Sequence, residues 1–86
     1  MNRRAIIEQY CEDEAIFADG FDDAILGTDA LTGKVVYSYS KGREILVRST
    51  GMSYEEADEY LDFNVLGAYV GPMTPLWVYD EAFYYG

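Results

Sequence analysis

Glu55, Glu56, Asp58, Glu59 and Asp62 form the densest carboxylate block in the chain. At helical spacing Glu55, Asp58, Glu59 and Asp62 stand on successive turns, with neighbours about 5–6 Å apart. Paired carboxylates are the raw material of general acid–base hydrolysis. The chain has no histidine, and no nucleophile is arranged beside these acids. A solvated helix face is the stronger reading, a hydrolase ranks last, and no catalytic residue is expected. Asp19, Asp22 and Asp23 around Gly20 suggest a calcium loop only in composition. The ligand spacing and the bidentate glutamate of an EF-hand are missing, so a solvated acidic turn is expected and no metal. Residues 27–33 hold two glycines but no phosphate-cradling pattern. Cys11 is the only cysteine, which rules out an intrachain disulfide framework. Neighbouring acids raise a thiol pKa, so Cys11 reads as a small core residue. No cofactor is implied.

The remaining polar candidates point to structure and binding. Asn64 interrupts an apolar stripe between Tyr60, Leu61 and Val65. A buried amide needs partners, and the backbone of the loop at 68–75 is within reach, so Asn64 is expected to pin that loop. Tyr37, Tyr39, Tyr69, Tyr79, Tyr84 and Tyr85 exceed what so small a core can enclose. Some must be exposed, and tyrosine beside acids is interface composition. The partner-binding set is therefore Glu55, Asp58, Glu59, Asp62 and Tyr69, with Ser53 and Asn64 in structural roles.

Charge sets the kind of partner. Sixteen acids face six bases, for a net charge of −10. Eight acids and no base lie between Glu8 and Asp29, and seven acids and no base follow Arg48. Such a field repels nucleic acid and anionic membranes and steers toward basic protein surfaces. Too few bases remain to neutralise phosphates. Acidity also keeps a small domain soluble, and that plain reading stands beside the functional one. The chain is half hydrophobic, too apolar for disorder, so one globular domain over 1–86 is expected. Met1-Asn2-Arg3-Arg4 is followed by only three apolar residues, which is no signal-peptide pattern, and no run approaches membrane-spanning length. The expected compartment is the cytoplasm.

These residues need elements to hold them. Asn2 can cap a first helix through about Cys11, with Ile6, Ile7, Tyr10 and Cys11 as its core stripe. Residues 24–29 read as a strand, with Gly27 marking a bulge or a close approach. Residues 30–33 form a turn, and 35–40 alternate, with Val35, Tyr37 and Tyr39 against Val36, Ser38 and Ser40. The serine face of this hairpin should be at least partly wet. Ser40 is the expected cap of a second helix over 41–50, with Gly51 as its C′ residue and Arg43 and Arg48 toward water. The run Ile45-Leu46-Val47 also suits a strand. Ser53 and Glu56 make a capping box for the acidic helix, Met52 can staple onto Ala57, and Gly67 is a natural stop. Pro72 and Pro75 exclude a continued helix there. Residues 76–79 are the expected third strand. The expected fold is α+β: a small three-stranded antiparallel sheet with helices packed on one face.

Asp22-Asp23-Ala24-Ile25-Leu26-Gly27, Gly51-Met52-Ser53-Tyr54-Glu55-Glu56-Ala57, Phe63-Asn64-Val65-Leu66-Gly67-Ala68-Tyr69-Val70-Gly71 and Thr74-Pro75 together resemble a group of short acidic proteins of bacteriophages and prophages. The resemblance covers residues 16–79, and the block at 63–71 is its most specific part. It carries over no catalytic residue. It implies an accessory role in infection, of the kind in which small acidic proteins inhibit host defence nucleases; this is analogy between families and not chemistry. The leading expectation is thus an inhibitor that occupies a basic surface of a nucleic-acid-handling host complex. The alternative is a structural module that self-associates through its aromatic face, which leaves a homo-oligomer open.

Overall fold

The computed structural model describes residues 3–10 and 15–85. Asn2, Cys11 and residues 12–14 lie outside the described residues, as do the side chains of Tyr10 and Tyr85. Helix α1 (Arg3–Tyr10) is followed by a 3-10 turn at Asp22–Ala24 and strands β1 (Ile25–Thr28) and β2 (Val35–Ser38). Helices α2 (Tyr39–Thr50) and α3 (Tyr54–Tyr60) come next, and α3 continues as a π-helical segment over Leu61–Leu66. Strand β3 (Leu76–Val78) and helix α4 (Glu81–Tyr85) complete the order. Helix α4 has no counterpart in the sequence reading.

The fold is α+β with three strands, but the sheet is mixed and not purely antiparallel. Strand β2 is central, antiparallel to β1 and parallel to β3. The cause is the connection. An antiparallel neighbour can follow a two-residue turn, whereas a parallel one needs a long crossover. Residues 39–75, with two helices and a loop, supply that crossover. The β1–β2 register shifts between Ile25 and Gly27, with Leu26 as the extra residue just before the glycine. In the hairpin turn the Asp29 carboxylate accepts from the Thr32 amide at 2.8 Å and the Thr32 hydroxyl at 2.6 Å. These bonds hold its pKa below the ordinary value.

Strand β2 is shorter than its alternation suggests, because Ser38 caps α2. Its hydroxyl accepts from the Lys41 amide at 3.2 Å, so Tyr39 and Ser40 already belong to the helix. Ser38 is fully buried, so the serine face is not wet at this point. Asp80 covers it, accepting from the hydroxyls of Ser38 at 2.9 Å and Ser40 at 2.8 Å. Despite the cost of burial, hydrogen bonds hold the Asp80 pKa below its ordinary value. Helix α2 ends at Gly51, whose φ of 73° is the left-handed conformation that a side chain disfavours. Arg43 is not turned to water. Its guanidinium lies 5.5 Å from the Tyr54 ring and 5.9 Å from the Phe83 ring.

The core comprises Phe21, Ala24, Ile25, Val35, Tyr37, Tyr39, Leu46, Ala57 and Leu61. Trp77 on β3 closes it. Its ring stacks on Tyr37 with centroids 4.8 Å apart and meets Phe21 edge-on at 5.3 Å. Helix α2 can approach this cluster because residue 42 is glycine. A Cβ there would lie 2.7 Å from the Trp77 ring. Alanine at this position would improve helix propensity by about 1 kcal/mol. The ring it would displace is held by Tyr37 and Phe21, so overpacking, at about 1–3 kcal/mol, outweighs that gain. Gly42→Ala is expected to lower the urea midpoint, and a raised midpoint would show that the tryptophan moves freely.

The Asp80 clamp makes a second prediction. Asp80→Ala removes two bonds to a charged acceptor and leaves the buried Ser38 hydroxyl only the Lys41 amide and the Ser40 hydroxyl, 3.1 Å away, at a cost of about 1–3 kcal/mol. An unchanged midpoint above pH ~5, where carboxylates are ionised, would show that water replaces the carboxylate.

Candidate protein-docking face

Helix α3 begins where its sequence indicates. The Ser53 hydroxyl accepts from the Glu56 amide, and the Glu56 carboxylate accepts from the Ser53 amide, both at 3.1 Å. Met52 packs against the core. Ala57 and Leu61 are fully buried, Val65 is half-buried, and Tyr60 and Asn64 are exposed. The buried line therefore advances four residues at a time, in keeping with the wide π turn at Leu61–Leu66. Gly67 follows with φ −80°, so the helix stops there without a left-handed residue.

Four acids assigned to one binding face divide into two pairs. Tyr39 Oη lies 3.2 Å from Asp58 Oδ1 and 3.1 Å from Asp62 Oδ1. The phenol has one proton to donate, so the two carboxylates share it. Asp58 Oδ1 also lies 3.4 Å from a guanidinium nitrogen of Arg43. Asp58 and Asp62 thus tie the α3 segment to α2, Asp58 half-buried and Asp62 still exposed to solvent. Glu55 and Glu59 are exposed to solvent. Glu59 shares a shallow depression of about 300 Å³ with Met52, Glu56, Tyr60, Phe63 and Asn64. Phe63 is 81% exposed and Tyr69 is 77% exposed. The tyrosines also divide: Tyr37 and Tyr39 are buried, whereas Tyr69, Tyr79 and Tyr84 are exposed.

Asn64 is a correction. Its exposure removes the premise of a buried amide that must find partners. Thr74 ties the following loop instead, accepting from the Val70 amide at 2.9 Å and donating to the Gly71 carbonyl at 2.6 Å. Asn64 also lines a second groove of about 260 Å³. Phe17, Phe21, Val65, Val70, Pro75 and Trp77 supply apolar walls, and Asp19, Tyr60 and Thr74 also line it. Tyr60 and Asn64 border both hollows, so the groove adjoins the acidic face. Sequence reasoning missed Phe63 and the groove. The only signal for Phe63 was a large aromatic outside the 57, 61, 65 line.

Asp19 and Asp22 face a cation. Arg4 lies 3.4 Å from Asp19 and 3.6 Å from Asp22, and its guanidinium is 4.7 Å from the Phe17 ring centroid. Among the described residues no group of three or more metal-ligating side chains is placed to hold an ion. Among them, too, no helix is long and apolar enough to cross a membrane. No family model, curated protein or solved structure matches the chain. The arrangement sets exposed acids beside exposed aromatics.

Two buried phenols give the fold a pH-dependent stability. Burial, followed by the Asp58 and Asp62 charges and hydrogen bonds, raises the Tyr39 pKa well above its ordinary value. Burial is also the main cause raising Tyr37, opposed by the bond its hydroxyl accepts from the Ala18 amide. A raised pKa means that the folded state holds the proton more tightly than the unfolded chain does. The resulting stability is complete below the unfolded value near pH ~10 and is lost as pH rises toward the folded values. The urea midpoint should therefore fall from about pH 10 upward, and Tyr39→Phe should remove part of that fall. A parent midpoint that stays flat to about pH 11 would contradict this account.

Proposed function

We propose that the protein is a non-catalytic, phage-type binding domain that inhibits a host defence complex by occupying a basic surface on its nucleic-acid-handling machinery. The observation that carries the reading is the combination on α3 and its π segment of solvent-facing Glu55 and Glu59 with the exposed Phe63. Acids four residues apart repel one another in the isolated domain. Opposite a basic surface the same charges attract and orient the partner, while Phe63 and Tyr69 contribute apolar contact. The resemblance to short acidic phage proteins supports the host setting, and the net charge of −10 supports a basic protein partner over nucleic acid. The site of action is the host cytoplasm.

Self-association through Phe63 and Tyr69 is the second reading, favoured by their exposure. It ranks lower because two copies would bring acid against acid around the same aromatics. Salt separates the two. Electrostatic docking weakens as salt rises, whereas an apolar self-interface holds or tightens.

The test begins with capture of a host complex on the tagged protein, followed by association kinetics with the purified complex and an assay of its nucleic-acid activity. Reversing Glu55 and Glu59 to lysine should leave the fold intact or slightly more stable. It should slow association about tenfold or more at low salt and flatten the salt dependence. Lys34→Gln, in the hairpin turn, is the control and should change little. Association of the lysine variant at the parent rate across the salt range would reduce the acids to a solvated surface. An unimpaired host activity in the complex would remove the inhibitor.

A further inference from the structure

The groove beside the acidic face is too small for most ligands and the right kind of surface for one side chain. Its volume of about 260 Å³ falls just below the ~300 Å³ at which small-molecule pockets begin. Phe17, Phe21 and Trp77 bring aromatic rings to its walls, and Val65, Val70 and Pro75 complete an apolar lining. Polar lining residues are few: Asp19, Asn64, Tyr60 and Thr74, whose hydroxyl is engaged by the Val70 amide and the Gly71 carbonyl. The Asp19 side chain is 95% exposed, so its 3.4 Å contact with Arg4 leaves acceptor capacity. A neutral apolar side chain would leave that carboxylate unanswered. An anion would be repelled by it and by the overall charge.

We infer that this groove receives an arginine side chain from the basic partner. Its methylene stem would lie along Val65, Val70 and Pro75, and its guanidinium would meet the aromatic walls and Asp19. Arginine is favoured over lysine because a planar guanidinium stacks on aromatic faces and presents a fork of donors to a carboxylate and an amide oxygen, whereas an ammonium is a strongly hydrated point charge. The chain makes the same contacts internally, where Arg4 lies over Phe17 and meets Asp19. Tyr60 and Asn64 border both hollows, so a basic surface drawn to Glu55 and Glu59 would bring its side chains to the groove. The assignment rests on the proposed docking function and adds its anchor residue.

Trp77 is the only tryptophan, so its fluorescence reports on the groove directly. The probes are three blocked tripeptides, with arginine, lysine or the neutral isostere citrulline between glycines, titrated into the full-length protein. The arginine peptide should give a saturable change in Trp77 emission, with shifts in the Val65, Val70 and Thr74 amide resonances. It should bind at least about fivefold more tightly than the other two. Asp19→Asn should weaken it several-fold, and Ala68→Phe, a substitution at an exposed position lining the groove, should abolish it by filling the space. Equal responses to arginine and lysine would reduce the effect to diffuse attraction and overturn the assignment, as would an unchanged response in folded Ala68→Phe. Glu55 and Glu59 do not line the groove, so peptide binding should survive their reversal to lysine. Peptide binding with no effect of that reversal on the host complex would sink acidic-face docking alone. The opposite pair of results would sink the arginine site alone.

Discussion

The contact of Trp77 with Tyr37, Phe21 and the backbone of Gly42 joins parts of the chain that local preference would leave separate. Strand β3 has only three residues and pairs with β2 in parallel, a slightly weaker arrangement per residue than antiparallel pairing. Few ladder bonds hold so short a strand, and stacking of Trp77 on Tyr37 supplements them. The same ring fills the space opened by the missing side chain at Gly42, which sets how closely α2 approaches the sheet. Tyr37 extends the connection outward, because its hydroxyl accepts from the Ala18 amide at 2.7 Å and so fixes the segment carrying Phe17 and Asp19. The groove walls are thus extensions of the core. The site inherits its rigidity from packing that would be needed in any case.

Local signals were legible wherever neighbouring residues decide the structure. Ser53 with Glu56, Gly51 after α2 and the irregularity beside Gly27 each need only a few adjacent residues, and each element forms where its signal lies. The errors arise where distant residues decide. Ser38 in place of Ser40 as helix cap depends on Asp80, forty-two positions away, which makes burial of the serine tolerable. The parallel pairing of β3 depends on the path of the whole crossover. Alternation placed Val35 and Tyr37 on one face, and both are buried, whereas Tyr39 is buried from the first turn of α2. It could not show that Ser38, on the other face, would also be enclosed.

The acidic face illustrates the same limit for function. Spacing alone grouped Glu55, Asp58, Glu59 and Asp62, because three- and four-residue steps do place them near one another. Side-chain length and neighbours then separate them. The two aspartates are short and meet the Tyr39 hydroxyl and Arg43 of α2. The two glutamates extend into solvent. The Tyr39 hydroxyl has an acceptor in each aspartate, so either carboxylate can satisfy it, and Asp62 keeps a solvent-exposed side. The wide π turn was also invisible in the sequence, yet it accompanies the outward placement of Tyr60 and Asn64 at the groove.

A protein of this charge stores repulsion among its carboxylates, and the structure disposes of it unevenly. Asp19 and Asp22 face Arg4, Asp58 faces Arg43, and Glu44 pairs with Arg48. Asp80 is satisfied by hydroxyls. Six bases cannot answer sixteen acids, so some carboxylates must remain exposed, and on α3 these include Glu55 and Glu59. Their repulsion is tolerable in water, where screening is strong, and costs little stability. Opposite a basic surface that excludes water, the same uncompensated charge becomes the larger effect, because attraction grows as the local dielectric falls. The fold thus leaves an acidic excess unneutralised on one helix, beside exposed Phe63 and an aromatic-walled groove.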